Sequence, residues 1–197
     1  METNELYPIF LKVSQLNVLI VGGGNVGLEK LSFLLKSSPN AKVALVAPFI
    51  REEIKILAKT HSTVTLIKDV FANEYLDEKH IVIAATDDQM VNLNIFLEAK
   101  RRSLLVNLAD QPQYCDFYLG GIVTKGNVKI AISTNGKSPT TAKRLRQFFE
   151  QVIPENINNL VQNLHRYRKT LKDDFEYKVD TLNELTETLL DKKEQVH

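Results

Sequence analysis

Residues 17–28 read NVLIVGGGNVGL, an apolar run that ends in three glycines, with a fourth glycine three residues later. The run Val18–Val21 is continuous and rich in β-branched residues, which is typical of a strand buried on both faces. Gly22, Gly24 and Gly27 fit the spacing G-x-G-x-x-G. The stretch therefore predicts a strand, a tight turn and the start of a helix.

The three spaced glycines suit a turn that binds a dinucleotide. Gly22 permits the turn, Gly24 lets the backbone approach a pyrophosphate, and Gly27 lets the helix pack close to the strand. The phosphate charge would lie at a helix N-terminus, where free N–H groups and the helix dipole favour it. We interpret the stretch as a dinucleotide-binding turn, and a purely structural glycine turn is the alternative.

Apolar runs and helical segments alternate as far as Leu108. Strands separated by helices predict an α/β fold with a Rossmann-type, doubly wound parallel sheet. A short helical turn is predicted at 71–76. The later strands are predicted at 43–47, 64–67, 80–85 and 104–108. The helices are predicted from Val26 to Ser37, at 51–59 and at 89–102.

The pattern changes after residue 112. Two strand-like runs, 118–124 and 128–133, are joined by Lys125-Gly126-Asn127, which predicts a β-hairpin. Ser138 followed by Pro139 predicts an N-cap and a helix that ends near Gln151. Apolar residues at helical spacing then predict two amphipathic helices, the second reaching Leu189.

These patterns divide the chain into three regions. The apolar stripes of the last two helices have no obvious partner within the sequence, so they could cover the core or pack against a second subunit. We expect a nucleotide-binding Rossmann domain at 1–112, a hairpin-plus-helix region at 113–150 and a C-terminal helical region at 151–197.

Composition limits the partners of the protein. The 197 residues carry 25 basic and 24 acidic side chains, so no overall field favours nucleic acid or an anionic membrane. No apolar stretch approaches the ~18 residues that span a bilayer, and METNEL does not resemble a signal peptide. The single cysteine, Cys115, suits a reducing compartment. We expect a cytoplasmic protein without nucleic-acid or membrane partners.

Several loops should meet where the parallel strands end, which is where open α/β sheets bind ligands. Asp110 comes just after the fifth strand, where a partly desolvated carboxylate could accept a proton. The alternative is an ordinary turn residue before Gln111-Pro112. The four histidines lack metal-ligand spacing, so no metal site is predicted.

The end of the second strand departs from the usual NAD pattern. Ala47-Pro48-Phe49 stands where an acidic residue normally binds the ribose hydroxyls of the adenosine. Arg51 could meet a 2′-phosphate, but we favour a solvated residue at a helix start. Basic residues that could attract a polyanionic substrate are Lys125, Lys137, Lys143, Arg144 and Arg146, with Arg101 and Arg102 a further pair.

Motifs spread along the chain resemble, in order, those of the sirohaem-synthase family, specifically its precorrin-2 dehydrogenase module. The resemblance covers about residues 6–155, and its last two blocks have no role in generic Rossmann proteins. The blocks are YPIFLKV at 7–13, VGGGNVGLEK at 21–30, AATDD at 84–88 with VN at 91–92, VNLADQP at 106–112, and AISTNGKSP at 131–139 followed by AKRLR at 142–146.

The resemblance implies an enzyme that oxidises precorrin-2 to sirohydrochlorin and passes a hydride to NAD, with NADP left open. Asp110 matches the family's catalytic aspartate, a proposed general base. Among the glycines, Gly27 stands where relatives often have alanine. The cofactor residues implied are Gly22, Gly24, Asn25, Val26 and Gly27 in the glycine loop, Pro48 and Phe49 on the adenosine side, and Thr86 and Asp87 near the nicotinamide.

The resemblance also implies partners. Family members form intertwined homodimers through the segment after the Rossmann core, and some also insert ferrous iron into sirohydrochlorin. Whether this chain handles iron stays open at this stage. The competing interpretations are an NAD-sensing regulatory module without turnover and a ferrochelatase with little dehydrogenation.

Overall fold

The structure, a computed structural model, describes residues 3–171 and 175–186. The chain forms two compact units. The first comprises residues 1–121 and 133–142, and the second residues 122–132 and 143–197.

The first unit is built on five parallel strands in the order β3-β2-β1-β4-β5. The chain adds β2 and β3 on one side of β1 and then β4 and β5 on its other side. The connections therefore run in opposite directions from the point between β1 and β4, and such a point has a crevice at the carboxyl ends of the two strands. The predicted α/β fold is confirmed. The strands are β1 Asn17–Val21, β2 Lys42–Val46, β3 Val64–Ile67, β4 Ile81–Ala84 and β5 Leu105–Leu108.

Three helices connect these strands. They are α1 Asn25–Ser37, α2 Glu52–Lys59 and α3 Gln89–Arg101, all close to the predicted bounds. Single 3₁₀ turns lie at Val13–Gln15, Asn73–Leu76 and Pro112–Tyr114. The first and third of these turns were not predicted, since three residues are too few to show a hydrophobic period.

The core explains why the strands read as uninterrupted apolar runs. Val18 and Ile20 of β1 join the buried cluster that includes Leu31 of α1 and Ile54 of α2. Leu19 and Val21 point to the opposite face, into a cluster that includes residues of α3. Because helices cover both faces, residues 18–21 of β1 are all buried, and each large apolar side chain contributes about 1.5–3 kcal/mol.

The second unit contains most of the predicted hairpin and the C-terminal helices. Gly126 adopts a φ of +58° in the hairpin turn, and Asn158 Oδ1 accepts hydrogen bonds from the backbone N of Asn127 at 2.9 Å and from its Nδ2 at 2.8 Å. The elements are β6 Gly121–Lys125, β7 Val128–Ile132, α4 Pro139–Val152, α5 Ile157–Thr170 and α6 Phe175–Thr186.

The ends of these elements largely follow the predictions. Ser138 Oγ accepts from Thr141 N at 3.2 Å, which is the predicted N-cap of α4. Strand β6 begins at Gly121, later than the predicted residue 118. The predicted last turn, with Leu189, lies outside the described residues. Within residues 3–171 and 175–186, every helix is too short or too polar to cross a membrane.

Candidate functional site

The glycine loop lies at the carboxyl ends of β1 and β4. Gly22 has a φ of +122°, and a Cβ on it would come within 2.3 Å of the carbonyl oxygen of Ala85. Gly22 N also donates to Val46 O at 3.0 Å. Glycine is therefore required at this position twice over, by the backbone angle and by the close approach of the loop after β4.

The other two glycines of the motif differ in what surrounds them. A Cβ on Gly27 would be 2.0 Å from Gly22 O, so α1 packs directly onto the turn. A Cβ on Gly24 would meet no atom of the described residues within 4 Å. The open space therefore lies beside Gly24, as expected where backbone approaches a ligand.

Helix α1 begins at this open space. Gly24 is its N-cap residue, and Asn25 and Val26 are its first two residues. Among the residues described, no side chain caps the N-terminus of α1 with a hydrogen bond. Uncapped N–H groups and a helix dipole suit a pyrophosphate, so the loop fits the dinucleotide that the sequence predicted.

The loop after β4 is held by its own network. Asn92 is 4% exposed, and its Nδ2 donates to Thr86 O at 2.9 Å while its Oδ1 accepts from Thr86 Oγ1 at 2.8 Å. Asp88 caps α3 by accepting from Met90 N at 2.8 Å and Val91 N at 3.2 Å. Thr86 is half-buried and Asp87 is exposed. The network presents these two predicted cofactor residues at the sheet edge.

The loop after β2 touches the glycine loop from the other side. Phe49 is 69% exposed, and a Cβ on Gly23 would lie 2.1 Å from Phe49 O. Pro48 precedes it, between β2 and α2. Both predicted adenosine-side residues therefore lie next to the glycine loop, with the large Phe49 ring open to solvent.

Arg51 is the N-cap residue of α2, a solvated residue at a helix start as the sequence favoured, and it also has partners at the glycine loop. Its backbone N donates to Gly23 O at 3.0 Å. Its guanidinium donates to Asn25 Oδ1 and to both carboxylate oxygens of Glu53, with Nη2 to Oε1 at 2.5 Å and Nε to Oε2 at 3.2 Å. The guanidinium lowers the pKa of the Glu53 carboxyl. The side chain is therefore fixed at the rim of the glycine loop.

Asp110 lies where β5 ends, in a turn with a φ of +62°. Its side chain is exposed, so the partial desolvation expected from the sequence is wrong. The turn starts where Ala109 N donates to Ala84 O at 3.0 Å, one residue beyond the last paired strand positions. The left-handed backbone conformation at Asp110 turns the chain away from the direction of β5, and aspartate tolerates that conformation.

The segment after Asp110 is tied back to β5. Asp116 Oδ2 accepts from Val106 N at 3.0 Å, and Asn107 Nδ2 donates to Phe117 O at 2.8 Å. Cys115 Sγ donates to Leu108 O at 3.2 Å, and burial raises the pKa of this thiol. A thiol with a raised pKa is a poor nucleophile at neutral pH. The hydrogen bond to Leu108 O instead gives Cys115 a structural role in the turn.

The structure thus brings four predicted loops to one sheet edge, while other predicted groups have structural partners. Lys125 pairs with Glu155, and Arg146 with Glu150 at 2.5 Å. In the described part of the chain, no group of three or more His, Cys, Asp or Glu side chains could hold a metal ion. Sequence reasoning missed the supporting roles of Glu53, Asp88, Asn92, Asn107 and Asp116.

Comparison with protein families bears on the cofactor. The family model described as "Putative NAD(P)-binding" matches residues 9–121, more than half of the chain. The chain belongs to this NAD(P)-binding family. A second model, described as "Sirohaem biosynthesis protein central", matches residues 125–151. The predicted nicotinamide nucleotide is thereby supported by the family as well as by the glycine loop.

Curated relatives carry the name sirohaem synthase. That of Pseudoalteromonas translucida (strain TAC 125) is 38% identical over 173 residues, 88% of this chain and 36% of the relative. That of Zymomonas mobilis subsp. mobilis (strain ATCC 31821) is 34% identical over 166 residues, 84% of this chain and 35% of the relative. The chain thus spans about a third of their length. The predicted resemblance to the sirohaem-synthase family is confirmed.

A solved structure gives the fold independently. SirC, a precorrin-2 dehydrogenase, aligns with a TM-score of 0.75 at 24% identity, over 91% of this chain and 89% of SirC. At this level of identity the match establishes the shared architecture, that is, the Rossmann sheet followed by a hairpin and helices.

Proposed function

We propose that this chain oxidises precorrin-2 to sirohydrochlorin with NAD as the hydride acceptor. The names of the sirohaem synthases and of SirC support the choice of substrate. The observation that carries the proposal is the position of Asp110, which is exposed at the same sheet edge as the glycine loop. A nucleotide site and a carboxylate at one edge are the two parts that a dehydrogenation needs.

The reaction removes two hydrogens from the macrocycle, one as a hydride and one as a proton. Bound NAD supplies the hydride acceptor. The uncapped start of α1 binds the pyrophosphate, while Thr86 and Asp87 lie toward the nicotinamide and Pro48 and Phe49 toward the adenosine. Asp110 accepts the proton that leaves the carbon framework. Its exposure allows the carboxylate to meet a large substrate without rearrangement of the core.

The test uses two variants of Asp110. Asp110→Asn and Asp110→Gly both accept the left-handed backbone, so the turn is kept while the charge is lost. With precorrin-2 and NAD, followed through sirohydrochlorin absorbance, we expect turnover to fall by about a hundredfold or more. NAD affinity should stay unchanged. Turnover by Asp110→Asn at the parent rate would refute the role of this carboxylate.

The same assay separates the competing functions. Tight NAD binding without any oxidation of precorrin-2 would identify a sensor module instead. Incubation of sirohydrochlorin with ferrous iron, compared with the spontaneous rate, tests whether the chain also uses iron as a substrate. We propose dehydrogenation as the main activity because all three glycines of the nucleotide-binding motif are present. A dehydrogenase needs this nucleotide site as well as the carboxylate of Asp110.

We also propose that the chain acts as a homodimer in the cytoplasm. Helix α4 carries Leu145, Phe148 and Val152, which are 39%, 54% and 51% exposed and follow each other at helical spacing. An apolar stripe of this kind normally packs against another surface. The proposed dimerisation region is residues 113–150, between a nucleotide-binding domain at 1–112 and a helical region at 151–197.

A further inference from the structure

The loop after β2 and the first turn of α2 bring a basic group, Arg51, and an acidic group, Glu53, to the adenosine side of the glycine loop. Arg51 N donates to Gly23 O at 3.0 Å, so the start of α2 is fixed against that loop. The Arg51 guanidinium then reaches Asn25 Oδ1, on the first residue of α1. Arg51 is therefore the basic side chain that the loop after β2 holds at the start of the phosphate-binding helix.

The carboxylate of Glu53 binds the Arg51 guanidinium in the way that a phosphate would. Its two oxygens accept from Nη2 at 2.5 Å and Nε at 3.2 Å of Arg51. A planar guanidinium binds carboxylate or phosphate with the same pair of parallel hydrogen bonds. A phosphate group arriving at this place would have to displace Glu53 and would meet its negative charge.

The sequence shows why this pair matters for the choice of nucleotide. The residues that end β2 and follow it, Val46-Ala47-Pro48-Phe49, contain no acidic side chain that could bind the ribose hydroxyls. The usual discrimination against a 2′-phosphate by a carboxylate at that position is thus missing. Glu53 lies four residues after Phe49, and it is bound to the same Arg51 guanidinium that contacts Asn25 of the glycine loop.

We propose that Glu53 determines the preference of this protein for NAD over NADP, by filling and neutralising the Arg51 guanidinium that would otherwise bind a 2′-phosphate. The proposal rests on the cofactor site proposed above. A ribose 2′-hydroxyl is neutral and does not compete with Glu53, whereas a 2′-phosphate is repelled by it. The residue thus acts on specificity, and the fold depends little on it, because an exposed ion pair adds little stability.

The test measures nucleotide binding by calorimetry on the full chain without tetrapyrrole. In Glu53→Gln we expect NADP to bind about tenfold more tightly, while the affinity for NAD changes less than about twofold. The matched control is Glu52→Gln, which removes the same charge one residue away, where Glu52 pairs with Lys55 at 3.0 Å. This control should leave both affinities unchanged.

A double variant tests whether the gain in NADP affinity comes from the Arg51 guanidinium that Glu53→Gln sets free. Arg51→Ala in the Glu53→Gln background should remove the gain in NADP affinity. Equal responses of Glu53→Gln and Glu52→Gln, or a gain that survives Arg51→Ala, would overturn the proposal. Because the readout is binding, NAD affinity without oxidation of precorrin-2 would refute the proposed reaction while leaving this inference intact. Absence of binding by either nucleotide would refute both.

Discussion

At the scale of single residues, the glycines of the loop divide into those that the fold needs and one, Gly24, that no neighbouring atom of the described residues constrains. Gly27 faces Gly22 O at a distance where no Cβ fits, whereas Gly24 faces open space within the described structure. The sequence motif predicts separate roles for them, close packing of the helix at Gly27 and close approach of a ligand at Gly24. Substitution by alanine should therefore have different consequences at the two sites.

We expect Gly27→Ala to lower the free energy of unfolding by about 1–3 kcal/mol, because α1 must move away from the turn. Gly24→Ala should lower the free energy of unfolding by less, about 0.5–1 kcal/mol, because alanine is a poorer N-cap than glycine. It should also weaken NAD binding, because the new methyl group would enter the open space beside Gly24. Urea unfolding and calorimetry measure the two effects. Equal loss of stability in both variants would contradict this division.

At the scale of elements, helix α3 and the loop before it form a braced unit. Asp88 caps the helix through Met90 N and Val91 N, and the buried Asn92 holds Thr86 from one turn later. The cap and the brace therefore share one short segment at the site. Loss of the cap should loosen the loop that presents Thr86 and Asp87.

We expect Asp88→Ala to lower the free energy of unfolding by about 1 kcal/mol and to weaken NAD binding, because two N–H groups of α3 lose their acceptor. Asp88→Asn is the matched control, since asparagine caps helices equally well. Urea unfolding of the two variants makes the comparison. The explanation fails if the asparagine variant is as unstable as the alanine variant.

At the scale of the whole molecule, the proposed homodimer predicts an interface on the exposed apolar residues of α4, Leu145, Phe148 and Val152. We expect the protein to sediment at twice its chain mass of 22.4 kDa. Phe148→Glu should shift it to the single-chain mass, because a charge would be buried in the interface. Phe33→Glu is the control, because Phe33 is a 39% exposed phenylalanine of α1. Sedimentation velocity of the three proteins tests this, and a Phe148→Glu protein that stays dimeric would exclude α4 from the interface.

Much of the fold was predictable because its signals are local. Each buried strand shows its apolar run, the turns show glycine or proline, and the N-cap of α4 is visible as Ser138-Pro139. Asp110 was a candidate from its place after the fifth strand, and the resemblance to the sirohaem-synthase family added the catalytic role and the order of the motifs. Such signals predict which elements exist, because propensity and periodicity depend on neighbours along the chain.

The sequence by itself determined the parallel α/β fold, the glycine loop and the family. Only the tertiary structure decided that Asp110 is exposed and that the Arg51 side chain contacts Asn25 of α1 as well as Glu53. The physical reason is distance along the chain. Burial and hydrogen bonding at a sheet edge depend on loops from different strands, and residues 26 positions apart, such as Asn25 and Arg51, meet only after the sheet has formed.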